Sequence, residues 1–89
     1  MDDAAKQYEA CAKELKRRFE VAYRDSKPPI QAMMTPIGGE NVEVTTRAID
    51  KSFVEIPFLV SFAAPNAVAV AWDMMQGAAD RALARSHES

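Results

Sequence analysis

The stretch VEVTTRAIDKSFVEIPFLVSF, residues 42–62, decides how this chain folds. Its first half alternates, with Val42, Val44, Thr46 and Ala48 on one side and Glu43, Thr45 and Arg47 on the other. A period of two with β-branched residues on the apolar side marks a strand with one buried face, expected here over residues 42–49. The second half alternates over residues 52–62, and places Val54, Ile56, Phe58, Val60 and Phe62 together on the expected buried side. Asp50 and Lys51 lie between the halves as the expected hairpin tip. Pro57 has no N–H to donate, so it suits the edge strand of a meander, where it would also hinder edge-to-edge association. The alternative is a bulge that divides residues 52–62 into two shorter strands.

Working back toward the N-terminus, Pro36-Ile37-Gly38-Gly39-Glu40-Asn41 reads as a turn and Ile30 to Thr35 as a first strand. Before these, residues 3–25 read as a helix. At the helical period, Ala4, Tyr8, Cys11, Ala12, Leu15, Phe19, Ala22 and Tyr23 fall within an arc of about 120°. The opposite side carries Glu9–Lys13, Glu14–Arg18 and Glu20–Arg24, all carboxylate-first pairs four residues apart. Asp2 and Asp3 suit the positive end of the helix dipole, and Ser26-Lys27-Pro28-Pro29 stops the helix.

Toward the C-terminus, Pro65 or Asn66 starts a second helix over about 66–86. Its core stripe is Val68, Ala71, Trp72, Met75, Ala79, Ala82 and Leu83. Gly77 lies mid-helix at a cost of up to about 1 kcal/mol relative to Ala, which suggests close approach of another backbone. Residues 86–89 are expected to fray. Residues 1–89 therefore read as a single α+β domain of helix, three-stranded antiparallel meander and helix (αβββα), with both helices on one face of the sheet.

Composition narrows the function. Of the apolar residues, 16 are Ala, which leaves a modest core for an 89-residue chain. Chains of this size often add a disulfide, a metal or a second subunit. One Cys and one His provide neither a disulfide nor a metal cage, so no metal and no cofactor are expected and a homodimer is. The acidic opening Met1-Asp2-Asp3 does not resemble a secretory leader, and the longest apolar run, residues 56–64, is far short of a membrane span. With a lone thiol, this points to a cytoplasmic protein that makes no membrane contact.

No constellation for catalysis stands out. Cys11 falls on the edge of the apolar stripe and His87 in the expected frayed tail, so the two do not suggest a dyad. Glu43 and Glu55 are expected as solvated residues on the open face of the hairpin, and Gly38-Gly39 has no phosphate-loop context. The expectation is a non-enzyme.

Nucleic acid is a disfavoured partner. The element order is shared with double-stranded-RNA-binding domains, which dock through lysines at the start of the second helix. Here that helix opens Pro65-Asn66-Ala67-Val68-Ala69-Val70, without a basic residue. The remaining basic feature is a stripe on the first helix, Lys6, Lys13, Arg17 and Arg24, flanked by Glu9 and Glu20 and read as a solvated face.

Two apolar features have no place in a one-sided core. Val70 and Met74 form a pair four residues apart on the outer side of the second helix. Phe53 and Leu59, with Ile49 and Met33, are expected on the sheet face turned away from the helices. Both features suggest association surfaces. The expected function is thus a non-enzymatic protein–protein interaction module: a small adaptor, an assembly factor, or an inhibitor of the kind carried by phages and plasmids. Its partner would be another protein or a second copy, with the basic face of the first helix as the nucleic-acid alternative.

Overall fold

The computed structural model describes residues 3–50 and 53–87. Asp2, Lys51, Ser52 and residues 88–89 lie outside the described residues, as does the side chain of Ala4. The elements run in the order helix α1 (Asp3–Tyr23), strands β1 (Ile30–Gly38), β2 (Asn41–Ala48) and β3 (Phe58–Ser61), and helix α2 (Ala67–Ser86). The strands form one antiparallel sheet in the order β1-β2-β3, so β2 is central and both neighbours are edges.

The alternation in β2 explains why both helices sit on the same side. Val42, Val44, Thr46 and Ala48 are all buried, while Glu43, Thr45 and Arg47 are partly exposed on the other face. Across the core lie Cys11, Ala12, Leu15 and Phe19 of α1 and Ala71, Met75, Ala79 and Ala82 of α2. The alanines let the backbone of α2 approach the central strand, and α1 packs against β1 and the flank of α2. Three side chains of α1 also reach backbone oxygens: Tyr8 Oη donates to Met34 O at 2.9 Å, Gln7 Nε2 to Phe62 O at 2.9 Å, and Tyr23 Oη to Gln76 O at 3.4 Å.

β1 extends further than its pattern indicates. It continues through Pro36, which pairs with Val42, to an irregularity between Pro36 and Gly38, and the chain reverses at Gly39-Glu40. Ile49 N–H donates to Pro29 O, so odd residues of β1 turn their polar groups toward β2 and even residues toward the free edge. The missing N–H of Pro36 therefore falls on the free edge, where proline is tolerated. Gly39 has φ 56°, a left-handed conformation that glycine adopts without strain.

The third strand differs most from its pattern. Val44 pairs with Phe58 while Arg47 bridges to Val54, so three steps on β2 face four steps on its neighbour. The extra residue is a β-bulge at Ile56-Pro57, the alternative that the proline allows. A bulge exchanges the two faces across it, so Val54 and Ile56 point outward while Phe53 and Glu55 turn toward the helices. Val60 and Phe62, beyond the bulge, keep their expected burial.

The end of α2 is tied rather than frayed at Ser86 and His87. Ser86 Oγ donates to Ala82 O, and His87 Nε2 lies 2.6 Å from Lys27 O. Gly77 does not admit another backbone; a Cβ there would meet only Arg81 Nη1, at 3.2 Å.

One polar group is out of place in the core. Thr46 is 1% exposed and its Oγ1 has no hydrogen-bond partner. Removing an unsatisfied buried hydroxyl while keeping side-chain shape relieves its desolvation cost. Thr46→Val is therefore expected to stabilise the fold by about 1 kcal/mol in urea unfolding, with an unchanged denaturant slope. A loss of stability would show that the hydroxyl has a partner.

Candidate functional site

The bulge and α2 together build a groove. Ile56, Pro57 and Phe58 form one wall, and Asp73, Met74, Gln76, Gly77, Asp80 and Arg81 of α2 form the other. The groove encloses about 720 Å³ and is open to solvent along its length. Ile56 is 87% exposed, the most exposed large apolar residue described. A side chain of that size left in water beside Phe58 and Met74 is the kind of apolar surface that marks association sites.

Polar contacts under the groove hold its shape. Glu55, only 9% exposed, accepts a hydrogen bond from Arg81 Nε at 2.8 Å. One turn further along α2, Arg85 lies over the Phe53 ring with its Cζ 4.8 Å from the centroid. These contacts pin the segment before the bulge to α2. Gly77 has no side chain to fill the floor, so the groove stays open between Asp73 and Asp80. Arg81 is already paired with Glu55, which leaves the two aspartates to set the local charge. Asp80 also accepts a hydrogen bond from Tyr23 Oη at 3.1 Å. Burial, and then the Asp80 carboxylate, push the Tyr23 phenol up to about 12.

The structure separates the residues that the sequence grouped on the sheet face. Phe53 is on the helix side, partly buried against the core, because the bulge changed its face. Met33 and Leu59 are exposed on the open face, but they stand on the two outer strands opposite Thr45 and Glu43, so β2 carries polar side chains between them. Gln31 and Arg47 add a hydrogen bond of 3.0 Å on that face. Ile49 lies at the β1 side, lining a cavity of about 320 Å³ with Lys16, Glu20 and Ile30. On α2, Val70 and Met74 are both exposed, and Met74 lines the groove. Periodicity places Ile56 in the core and provides no reason to single out Asp73 or Asp80. The only signal for Ile56 was Pro57.

The basic stripe of α1 is exposed at Lys6, Lys13, Arg17 and Arg24, and Arg17 is paired within the helix. It donates twice to Glu14, at 3.1 and 2.9 Å, and Arg18 donates to the same carboxylate at 2.7 Å. These two guanidiniums hold the Glu14 carboxyl down to about 2. The pairs Glu9–Lys13 and Glu20–Arg24 do not close to ion-pair distance among the described residues.

Groups suited to chemistry are dispersed. Cys11 is buried, and burial pushes its thiol up, away from the reactive thiolate. Glu55 is not beside Glu43 on the open face; it lies beneath α2 with Arg81. Among the described residues, no group of three or more His, Cys, Asp or Glu is arranged to hold a metal ion, and no helix is long and apolar enough to cross a membrane. What the fold and groove define is a small α+β domain with an open three-stranded sheet and, at one edge, a groove with apolar and acidic side chains in its walls. No protein-family model, curated protein or solved structure matches this chain.

Arg81→Ala leaves the Glu55 carboxylate without its partner in a nearly dry position. The expected cost is about 1–2 kcal/mol in urea unfolding, reduced to a few tenths in a Glu55→Gln background. Equal costs in both backgrounds would show that the pair is not coupled.

Tyr23 provides a pH test. The folded chain favours the protonated phenol, so this contribution to stability is complete below pH 10 and is lost as pH rises from 10 to about 12. In a Tyr8→Phe variant, absorbance near 295 nm should report Tyr23 ionising close to pH 12, and Asp80→Asn should lower that value while burial keeps it above 10. Ionisation at 10 in the folded protein would contradict the contact.

Proposed function

We propose that this chain is a non-enzymatic protein-interaction module that docks a protein partner in the groove between the β3 bulge and α2. Adaptors, assembly factors and inhibitory binding proteins work in this way. The observation that carries the reading is Ile56, held 87% exposed at a bulge beside Phe58 and Met74. Burying these side chains on a partner would supply the apolar centre of an interface, and the surrounding polar residues its rim. The open sheet face supports docking less well, because its apolar residues are separated by polar ones. The α1 stripe supports nucleic-acid binding less well, because Arg17, one of its four cations, is paired with Glu14.

The test is affinity capture from the native host with the wild-type chain and with an Ile56→Asp/Met74→Asp variant, both shown to be folded by circular dichroism. The wild type is expected to retain a protein that the variant recovers at least about tenfold less well. Equal recovery by the two, or nothing retained by the wild type, would overturn the reading.

A further inference from the structure

Resting on that reading, we infer that the occupant of the groove is an extended segment of another protein that adds to the free edge of β3 and carries basic side chains flanking an apolar one. The two edges of the sheet are not equivalent. On β1, Pro36 has no N–H, and the Met34 carbonyl, which points to the free edge, is capped by Tyr8 Oη at 2.9 Å. On β3, Pro57 likewise lacks an N–H on the free side and the Ser61 carbonyl accepts from Ala64 N–H at 3.3 Å, but among the described residues no such contact closes the edge at Leu59. Phe62 N–H donates to Glu40 O at 2.8 Å, so beyond the bulge the even residues face β2. By the same alternation the N–H and C=O of Leu59 point outward, as does the C=O of Pro57. An extended chain laid along this edge would find hydrogen-bonding groups beside the groove and a helix, the arrangement used in strand addition.

The charge of the groove selects the occupant. Asp73 and Asp80 stand seven residues apart on α2, about 10 Å along the axis, with Met74 and Gly77 between them. Arg81 is neutralised by Glu55, so the wall facing the segment is acidic. Along an extended chain, side chains on one face recur about every 6.7 Å. A basic residue, an apolar one two positions on and a second basic one after another two would put cations about 13 Å apart. Flexible Lys or Arg stems can draw these onto the two carboxylates, while the apolar side chain sits over Ile56, Phe58 and Met74. A second copy of this chain does not meet the requirement. Residues 56–61, IPFLVS, contain no cation, and a two-fold pairing of β3 edges would set one acidic wall toward another.

The experiment pans displayed random peptides of about seven residues on the wild-type chain and on an Asp73→Lys/Asp80→Lys variant. The wild type should enrich basic–x–apolar–x–basic sequences and the variant should not. A synthetic peptide of the enriched sequence should bind the variant at least about tenfold more weakly, and should slow hydrogen exchange at the Leu59 amide of the wild type. Enrichment of no sequence, of non-basic sequences or of the same sequences on both proteins overturns the inference. So does unchanged exchange at Leu59, or a dimer in sedimentation that Ile56→Asp/Met74→Asp dissociates. If host capture still depends on Ile56 and Met74 in those cases, the interaction module stands and only the basic extended occupant is lost. If capture is indifferent to those residues, the groove itself is the wrong surface.

Discussion

Between Val54 and Phe58 the chain takes four steps while its neighbour, from Arg47 to Val44, takes three. That mismatch is the constraint on which the functional surface depends. Side chains alternate faces at every residue of a strand, so one inserted residue reverses all assignments on one side of it. Here the reversal brings Phe53 and Glu55 beneath α2, where Arg85 and Arg81 meet them, and turns Val54 and Ile56 outward. Without it, Ile56 would belong to the core and the groove would lose its most exposed apolar residue. The bulge thus links the packing of the C-terminal half of α2 to the surface beside it.

The remainder of the molecule provides a firm support for that edge. The dry core joins β2 to an alanine-rich face of α2 and to the Leu15–Phe19 face of α1. Tyr8, Gln7 and Tyr23 fasten α1 to β1, to the end of the β3 segment and to α2. The Tyr8 contact has a second consequence, since it occupies a carbonyl on the β1 edge and makes the two edges unequal. A sheet with two unprotected edges risks uncontrolled pairing. In this chain the β1 edge is blunted by Pro36 and Tyr8, and the β3 edge by its shortness and the proline at its start.

Much of this was legible in the sequence because it depends on local periodicity. The stripe on residues 3–25 led to α1, the alternation of residues 42–48 to the buried face of β2, and Pro65-Asn66 to the start of α2, each within a residue or two. The α+β order and the one-sided packing of the helices follow from those patterns, since a single apolar face on β2 can be covered only from one side. Val70 and Met74 were also marked as unneeded by the core, because an angular position on a helix is a local property. Where turn chemistry competed with pairing, as at Pro36-Ile37-Gly38, composition suggested a loop and the β1–β2 ladder continued through it.

By itself, then, the sequence determined the elements, their order and which side of β2 and of each helix would be buried. All of these are set by the spacing of apolar residues along one segment. Only the tertiary structure decided the face of residues 53–56, because the local pattern of Val54 and Ile56 against Phe53 and Glu55 points the wrong way. The choice fell to partners distant in sequence, with Arg81 available for Glu55 and Arg85 for Phe53. Register is a pairwise property of two segments, and no reading of one strand alone contains it. For that reason the groove beside Ile56 came from the fold, whereas the helices that frame it were legible in the chain.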